Sequence, residues 1–244
     1  MNMNINRSDI ESDTYGKNFL EIRDFSAEAD FNEFESLYIQ KYNPFYVFCK
    51  VPIENMSDIQ ALGKRGFEFI EVQIREQATL RKLFPVYKPY KLEEVTSEKD
   101  LESILQIADS TFEHDRFSVD PLVEKSFSGK RYRQYVTKSY HAGDEFLYKL
   151  YNTETGDLLG FKTHKIVSAN EAVMFLGGVA NEYKKSAIPV ISGYLELNEL
   201  INRGIKKVTT HISVGNYGVL NLEVKEFGYK VVNSFVVLRK IYRT

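Results

Sequence analysis

Leu176-Gly177-Gly178-Val179-Ala180-Asn181-Glu182-Tyr183-Lys184-Lys185-Ser186-Ala187-Ile188-Pro189 runs from the end of an apolar stretch into a segment of helical spacing. It reads as strand, loop, helix. Two glycines inside a strand weaken it unless another backbone or an extended ligand must approach closely. Small residues and lysines ahead of a helix suit an anion, because the first backbone N–H groups of a helix have no partner within it. Lys184, Lys185, Ser186, Ala187 and Ile188 are therefore candidate phosphate-binding positions. Leu176, Gly177, Gly178 and Val179 form the edge along which an extended ligand would lie. Pro189 suits the first helical turn, where its missing N–H is not needed.

Working outward, residues 171–179 are the last of three strand signals, after 145–151 and 158–167, and the first two are joined by a turn-rich 152–157. The helix of 189–204 is followed by a strand at 207–214, a short helix at 219–226 and a long strand at 229–241. Upstream lie a strand at 90–95, a helix at 98–110 with Ser97 as its N-cap, a loop at 111–120 and a helix over 121–140. The order β-α-α-β-β-β-α-β-α-β predicts a mixed α/β domain over 89–244. Pro85 and Pro89 mark a boundary near residue 88. Before it, 18–88 reads as a smaller unit, with strands at 19–25, 46–51 and 67–74 and helices at 27–40 and 57–64. Residues 1–17 are polar and read as a flexible N-terminus.

The smaller unit echoes the end of the larger one. Strand, Asn55, helix, Gly66, strand is matched by strand, Asn216, helix, Gly228, strand; the offset that sets Gly66 on Gly228 also sets Phe67 on Tyr229 and Ile74 on Val236. The first unit thus reads as a partial copy of the second.

Composition narrows the function. The 244 residues are 43% hydrophobic and 14% aromatic, enough for a sizeable core. A net charge of −2 excludes a strongly basic nucleic-acid binder. The one cysteine, Cys49, excludes a disulfide framework and a Cys-rich zinc site, and its apolar neighbours make it a buried, inert thiol. No apolar run reaches the ~18–20 residues of a membrane span, and no signal peptide is visible. The expectation is a cytoplasmic protein acting on a small molecule, with no metal, nucleic acid or membrane partner and a homodimer as its candidate assembly.

The segment 176–189 resembles the acyl-coenzyme A element of the GNAT N-acetyltransferases, and the element order of 89–244 is similar to their fold. Their pyrophosphate loop, Arg/Gln-x-x-Gly-x-Gly/Ala, falls here on Lys184, Ala187 and Pro189. Each position departs from the pattern, although Lys184 keeps the charge and Ala187 the small size. The resemblance implies a GNAT fold with a partial GNAT-like unit before it, and acetyl-CoA as acyl donor.

A second match runs from Asn216 to Tyr229. It implies that Asn216 and Asn221 contact the donor and that a tyrosine on the helix acts as general acid toward the departing thiolate. That position falls on Glu223 or Val224. An ordinary glutamate is ionised at neutral pH and donates only if burial raises its pKa. The acid is then missing, shifted to Tyr217 or Tyr229, or supplied by a perturbed Glu223. His211, on the preceding strand, is a further catalytic candidate; its other reading is a core or interface histidine.

A third match, 110–121 with 132–135, resembles the GNAT branch typified by dTDP-fucosamine acetyltransferase. It implies acetylation of the amino group of a nucleotide-linked aminodeoxysugar, with His114, Arg116 and Phe117 at the acceptor. Arg116 suits a phosphate or an ion pair with Glu113, Asp115 or Asp120; His114 suits proton transfer or is an exposed loop residue. A non-catalytic GNAT-fold binding module, or transfer to another small amine, is the alternative.

Overall fold

The computed structural model describes residues 3–28 and 30–242. Residues 1, 2, 29, 243 and 244 of the expected units lie outside the described residues. In chain order the elements are β1 (Asn4–Arg7), α1 (Asp9–Tyr15), β2 (Asn18–Arg23), α2 (Phe31–Tyr42), β3 (Pro44–Pro52), α3 (Met56–Lys64) and β4 (Glu68–Thr79). They continue with β5 (Tyr90–Glu94), α4 (Glu98–Thr111), α5 (Arg116–Val119), α6 (Ser126–His141), β6 (Glu145–Asn152), β7 (Leu158–Ser168) and β8 (Glu171–Val179). The chain ends with α7 (Ile188–Asn202), β9 (Lys207–Ser213), α8 (Tyr217–Leu222), a π-helical turn (Glu223–Phe227) and β10 (Lys230–Ile241).

All ten strands form one mixed sheet in the order β1-β2-β3-β10-β4-β9-β8-β7-β6-β5. The mixed α/β architecture expected from the sequence is present. The two halves are not laid side by side at residue 88, however: β10 of the second is inserted between β3 and β4 of the first.

The internal echo is a pseudo-two-fold of the sheet. Exchanging β1 with β7, β2 with β8, β3 with β9 and β4 with β10 reproduces every pairing and its direction among those strands. The pair Phe235–Gln73 lies on the axis, and Val236–Val72 exchanges with Ser234–Ile74. Gly66 and Gly228 both take a left-handed conformation, φ 84 and 74, just past their helices. The halves differ at one place. Ile22 pairs with Cys49 in the first half, whereas in the second the pairing of β8 with β9 stops at Val173–Thr209.

Residues 4–15, expected to be flexible, form β1 and α1. The reason is distant in sequence: Glu11 is buried and accepts from Arg131 Nε of α6 at 2.6 Å. The helix expected to begin at Pro121 begins at Ser126. Asp120 is drawn into the core, where Arg239 Nε (2.9 Å) and the Tyr46 hydroxyl (3.0 Å) donate to it. Its other oxygen accepts from Leu122 N at 3.0 Å, making 120–122 a turn. Among the described residues no helix is long and apolar enough to cross a membrane.

The core follows the faces of the sheet. On one, α7 packs Leu197 and Leu200 against Ala78, Val208 and Tyr229. On the other, α5 and α6 set Phe117 and Phe127 against Phe19, Tyr46 and Val237. Cys49 is buried among Leu20, Val47 and Leu62, and burial pushes its thiol up to about 12, so the inert reading fits.

Candidate active site

Beyond Val173 the sheet divides. β8 runs on to Val179 bonded to β7, and β9 runs on to Ser213 bonded to β4. A bulge helps to turn β8 away: Thr163 faces Leu176 and His164 faces Met174, leaving Phe175 as the extra residue. The gap opens a cavity of about 620 Å³. Its walls are two strand edges, each with backbone groups that no neighbouring strand satisfies.

Side chains of β9 alternate across the gap. His211 and Ser213 lie opposite Arg75 and Gln73, on the side of α5 and α6; Thr210 and Ile212 lie opposite Glu76 and Ile74, on the side of α7. Both sides contribute to the same cavity. His211 is exposed along the gap, yet partial desolvation there and then the charges of Lys50 and Arg75 lower its pKa, so its imidazole is neutral at pH 7.

On the α7 side Glu223 stands at the start of the π-helical turn and its carboxyl faces that of Glu76, itself fully buried. Taken as two carboxylates, both Glu76 oxygens and Glu223 Oε2 would be buried without a donor. A proton on Glu223 supplies one. Burial, reinforced by Glu76 and opposed by Lys162, pushes the Glu223 carboxyl up to about 9. The pair therefore keeps a proton at neutral pH. Glu196 lies close by, with Lys162 Nζ at 3.3 Å and His164 Nδ1 at 3.4 Å.

Of the residues singled out in the sequence, Leu176, Gly177, Val179, Lys184, Ser186, Asn216, His114, His211 and Glu223 line the cavity. The glycines have a different reason from the expected one. A Cβ on Gly177 would fall 2.8 Å from Lys162 Cδ, and one on Gly178 would fall 2.6 Å from the Phe161 ring. The close approach is made by side chains of β7. Gly178 is outside the wall.

The segment before α7 is only partly as expected. Ser186 Oγ accepts from Ile188 N at 3.1 Å, and Ile188 packs into a core with Leu150, Leu159 and Ile191. Ile188 thus offers neither its N–H nor its side chain. Lys185 and Ala187 are exposed. Among the described residues the N–H groups of Lys185, Ala187 and Val190 have no backbone acceptor. Lys184 Nζ donates to Thr111 O (3.0 Å) and Glu113 Oε1 (3.3 Å). Asn216 caps α8 by accepting from Val219 N at 3.4 Å. Asn221 is exposed and lies outside the wall.

Four further residues are corrected by the packing, and with them the loop expected at 111–120. Tyr217 is 66% exposed and Tyr229 is buried with its hydroxyl donating to Met174 Sδ at 2.8 Å; neither lines the cavity. Arg116 and Phe117 do not either. Asp115 accepts from Phe117 N (2.7 Å) and Ser118 N (3.0 Å), which starts α5 where a loop was expected. That turn sends Phe117 into the core at 0% exposure. Arg116 goes the same way, 3.7 Å from Glu11 and stacked over the Phe48 ring at 4.3 Å.

Sequence reading missed Glu71, Gln73, Glu76, Lys162 and Glu196. Glu76 had a signal. It follows Val72 and Ile74 and precedes Ala78 on the apolar alternation of β4, a place where an ordinary strand carries no acid. Among the described residues no group of three or more His, Cys, Asp or Glu is arranged to hold a metal ion.

The sequence matches no protein-family model, and no curated protein matches it. Solved structures do. A GCN5-related N-acetyltransferase from Sphaerobacter thermophilus superposes with a TM-score of 0.71 at 11% identity, over 99% of this chain and 77% of that one. A tandem GNAT protein from the clavulanic acid biosynthesis pathway gives 0.62 at 12% identity, over 91% and 75%. N-myristoyltransferase from Saccharomyces cerevisiae, with bound myristoyl-CoA, gives 0.55 at 9% identity, over 94% and 61%. At these identities the likeness is one of fold: the chain has the architecture of the GCN5-related N-acetyltransferases.

Proposed function

We propose that the chain transfers an acyl group, acetyl in the simplest case, from acyl-coenzyme A to the amino group of a small molecule. The observation that carries this reading is the parting of β8 from β9 beside the start of α7. A strand edge with unsatisfied N–H and C=O groups suits the extended, amide-bearing arm of the donor. The N–H groups of Lys185, Ala187 and Val190, with the lysines beside them, suit its phosphates. Lys184 is held at the surface by Glu113, and a surface pair of that kind is worth ~0–1 kcal/mol, so an anion can displace it. The donor supplies the reactive thioester and a thiol leaving group.

The chain's own groups then divide the proton work. His211, neutral at pH 7, can accept a proton on one side of β9. Glu223 holds a proton on the other side, at the position where the family resemblance expects the acid. Holding both reactants in the gap supplies the rest by proximity. Of the three residues that pointed to a nucleotide-linked aminosugar as acceptor, only His114 lines the cavity, so the reading here stops at a small-molecule amine. A homodimer and a cytoplasmic location belong to the same proposal.

Calorimetry with acetyl-CoA, followed by a thiol-release assay with a panel of amines, tests the reading. Saturating donor, at ~100 times its Kd, stabilises the fold by about 2.7 kcal/mol. Absence of binding at millimolar acetyl-CoA sinks the reading. Binding without turnover on any amine supports a non-catalytic binding module instead.

A further inference from the structure

At the β4 end of the cavity there are acceptors without donors. Glu71 is 6% exposed, and its Oε1 accepts from Gln73 Nε2 at 3.2 Å. That bond orients the Gln73 amide, because the flipped amide would set two oxygens against each other. Glu71 Oε2 and Gln73 Oε1 are then both buried with no hydrogen bond made, although the Ser213 hydroxyl stands near enough to Glu71 to favour its carboxylate, and all three residues line the cavity. An unmet buried acceptor has lost its water and gained nothing in return. Two of them side by side form a place that a donor molecule completes.

The charges agree. Besides the protonated Glu223, four acidic side chains line the cavity against two lysines, and both lysines are engaged, Lys162 by Glu196 and Lys184 by Glu113. Burial raises the Glu71 carboxyl, and the charges of Arg116 and Lys50 oppose that shift. Among the described residues Glu71 forms no ion pair with either. Arg116 is committed to Glu11 and the Phe48 ring. An anionic acceptor would have to break one of these pairs and would face a majority of carboxylates.

We propose that Glu71 and Gln73 form the acceptor subsite, taking a cationic primary amine whose ammonium donates to Glu71 Oε2 and Gln73 Oε1, and that this acceptor carries no phosphate. The amine so defined is the substrate class of the acyl-transfer site, and its fate there rests on the acyl-transfer reading. The first half of the chain thereby gains a role, since the donor gap comes from β8 and β9 and the acceptor subsite from β4.

The test is calorimetry without acyl donor. Glucosamine is compared with glucose, 1,4-diaminobutane with 1,4-butanediol, and both amines with a dTDP-linked aminosugar. At least one amine is expected to bind tenfold or more tightly than its hydroxyl counterpart and more tightly than the nucleotide sugar. Glu71→Gln, which keeps the shape, should abolish the preference, and Gln73→Leu should reduce it; matching circular dichroism and melting curves establish that both variants fold. Equal affinity for amine and alcohol, a preference unchanged in Glu71→Gln, or tightest binding of the nucleotide sugar overturns the proposal. Because no donor is present, these outcomes are separate from a failure to bind acetyl-CoA, which would sink the acyl-transfer reading alone.

Discussion

Arg131 Nε donates to the carboxylate of Glu11 at 2.6 Å, with both side chains buried, and so ties the N-terminal helix α1 to α6. Removing one partner of such a pair leaves a charge buried without compensation. Glu11→Ala should cost about 3–5 kcal/mol, read as a lower urea midpoint. Burial alone would raise the Glu11 pKa, but Arg131 and Arg116 outweigh it and hold the carboxyl down at about 2. Its contribution is complete above pH ~4.5 and is lost as pH falls toward 2. Wild type should therefore lose stability over that window more steeply than Glu11→Gln.

Glu223 has the opposite sign. Its folded-state pKa is raised from 4.5 to about 9, by burial and by Glu76. The folded form binds the extra proton, so stability falls as pH rises between those values. Melting curves of Glu223→Gln and wild type should nearly coincide at pH 4.5, and the variant should be the more stable by pH 9. Coincidence at every pH would mean that Glu223 ionises freely.

Gly193 of α7 lies under the Phe227 ring, where an added Cβ would fall 2.1 Å from Cζ. Gly193→Ala should push Phe227 toward the cavity it lines and cost about 1–3 kcal/mol through overpacking. Gly177→Ala meets only the flexible end of Lys162 and should cost clearly less. Urea titration of the two variants checks the order.

Ser97 accepts from Asp100 N at 3.2 Å and caps α4. Ser97→Ala should destabilise by ~1 kcal/mol and leave acetyl-CoA affinity unchanged, since α4 carries no donor-facing N–H. Thermal melts with and without acetyl-CoA separate the two quantities.

What the sequence made legible is what local chemistry decides. The Ser97 cap, the Gly66 and Gly228 helix ends and the strands flanking 180–187 were all readable. So was the need for burial to raise the Glu223 carboxyl. What escaped depends on partners far along the chain. Residues 4–15 look polar and loose until Glu11 meets Arg131, and Arg116 looks like a phosphate ligand until α1 supplies its carboxylate. Glu71 and Gln73 sit on the polar alternation of β4, which reads as a solvated face; only the opening of β8 from β9 turns it into a cavity wall.

The position of β10 has a consequence for synthesis. β3 and β4 are near neighbours in sequence but bond to β10 rather than to each other, and β10 begins at Lys230, 151 residues after β4 ends at Thr79. At ~5–20 residues per second, a ribosome needs about 8–30 s to cover that interval. Throughout it, the facing edges of β3 and β4 are finished but unclaimed, and any free strand is a competitor for the place. The nascent chain should thus depend on holding chaperones more than its size alone would suggest.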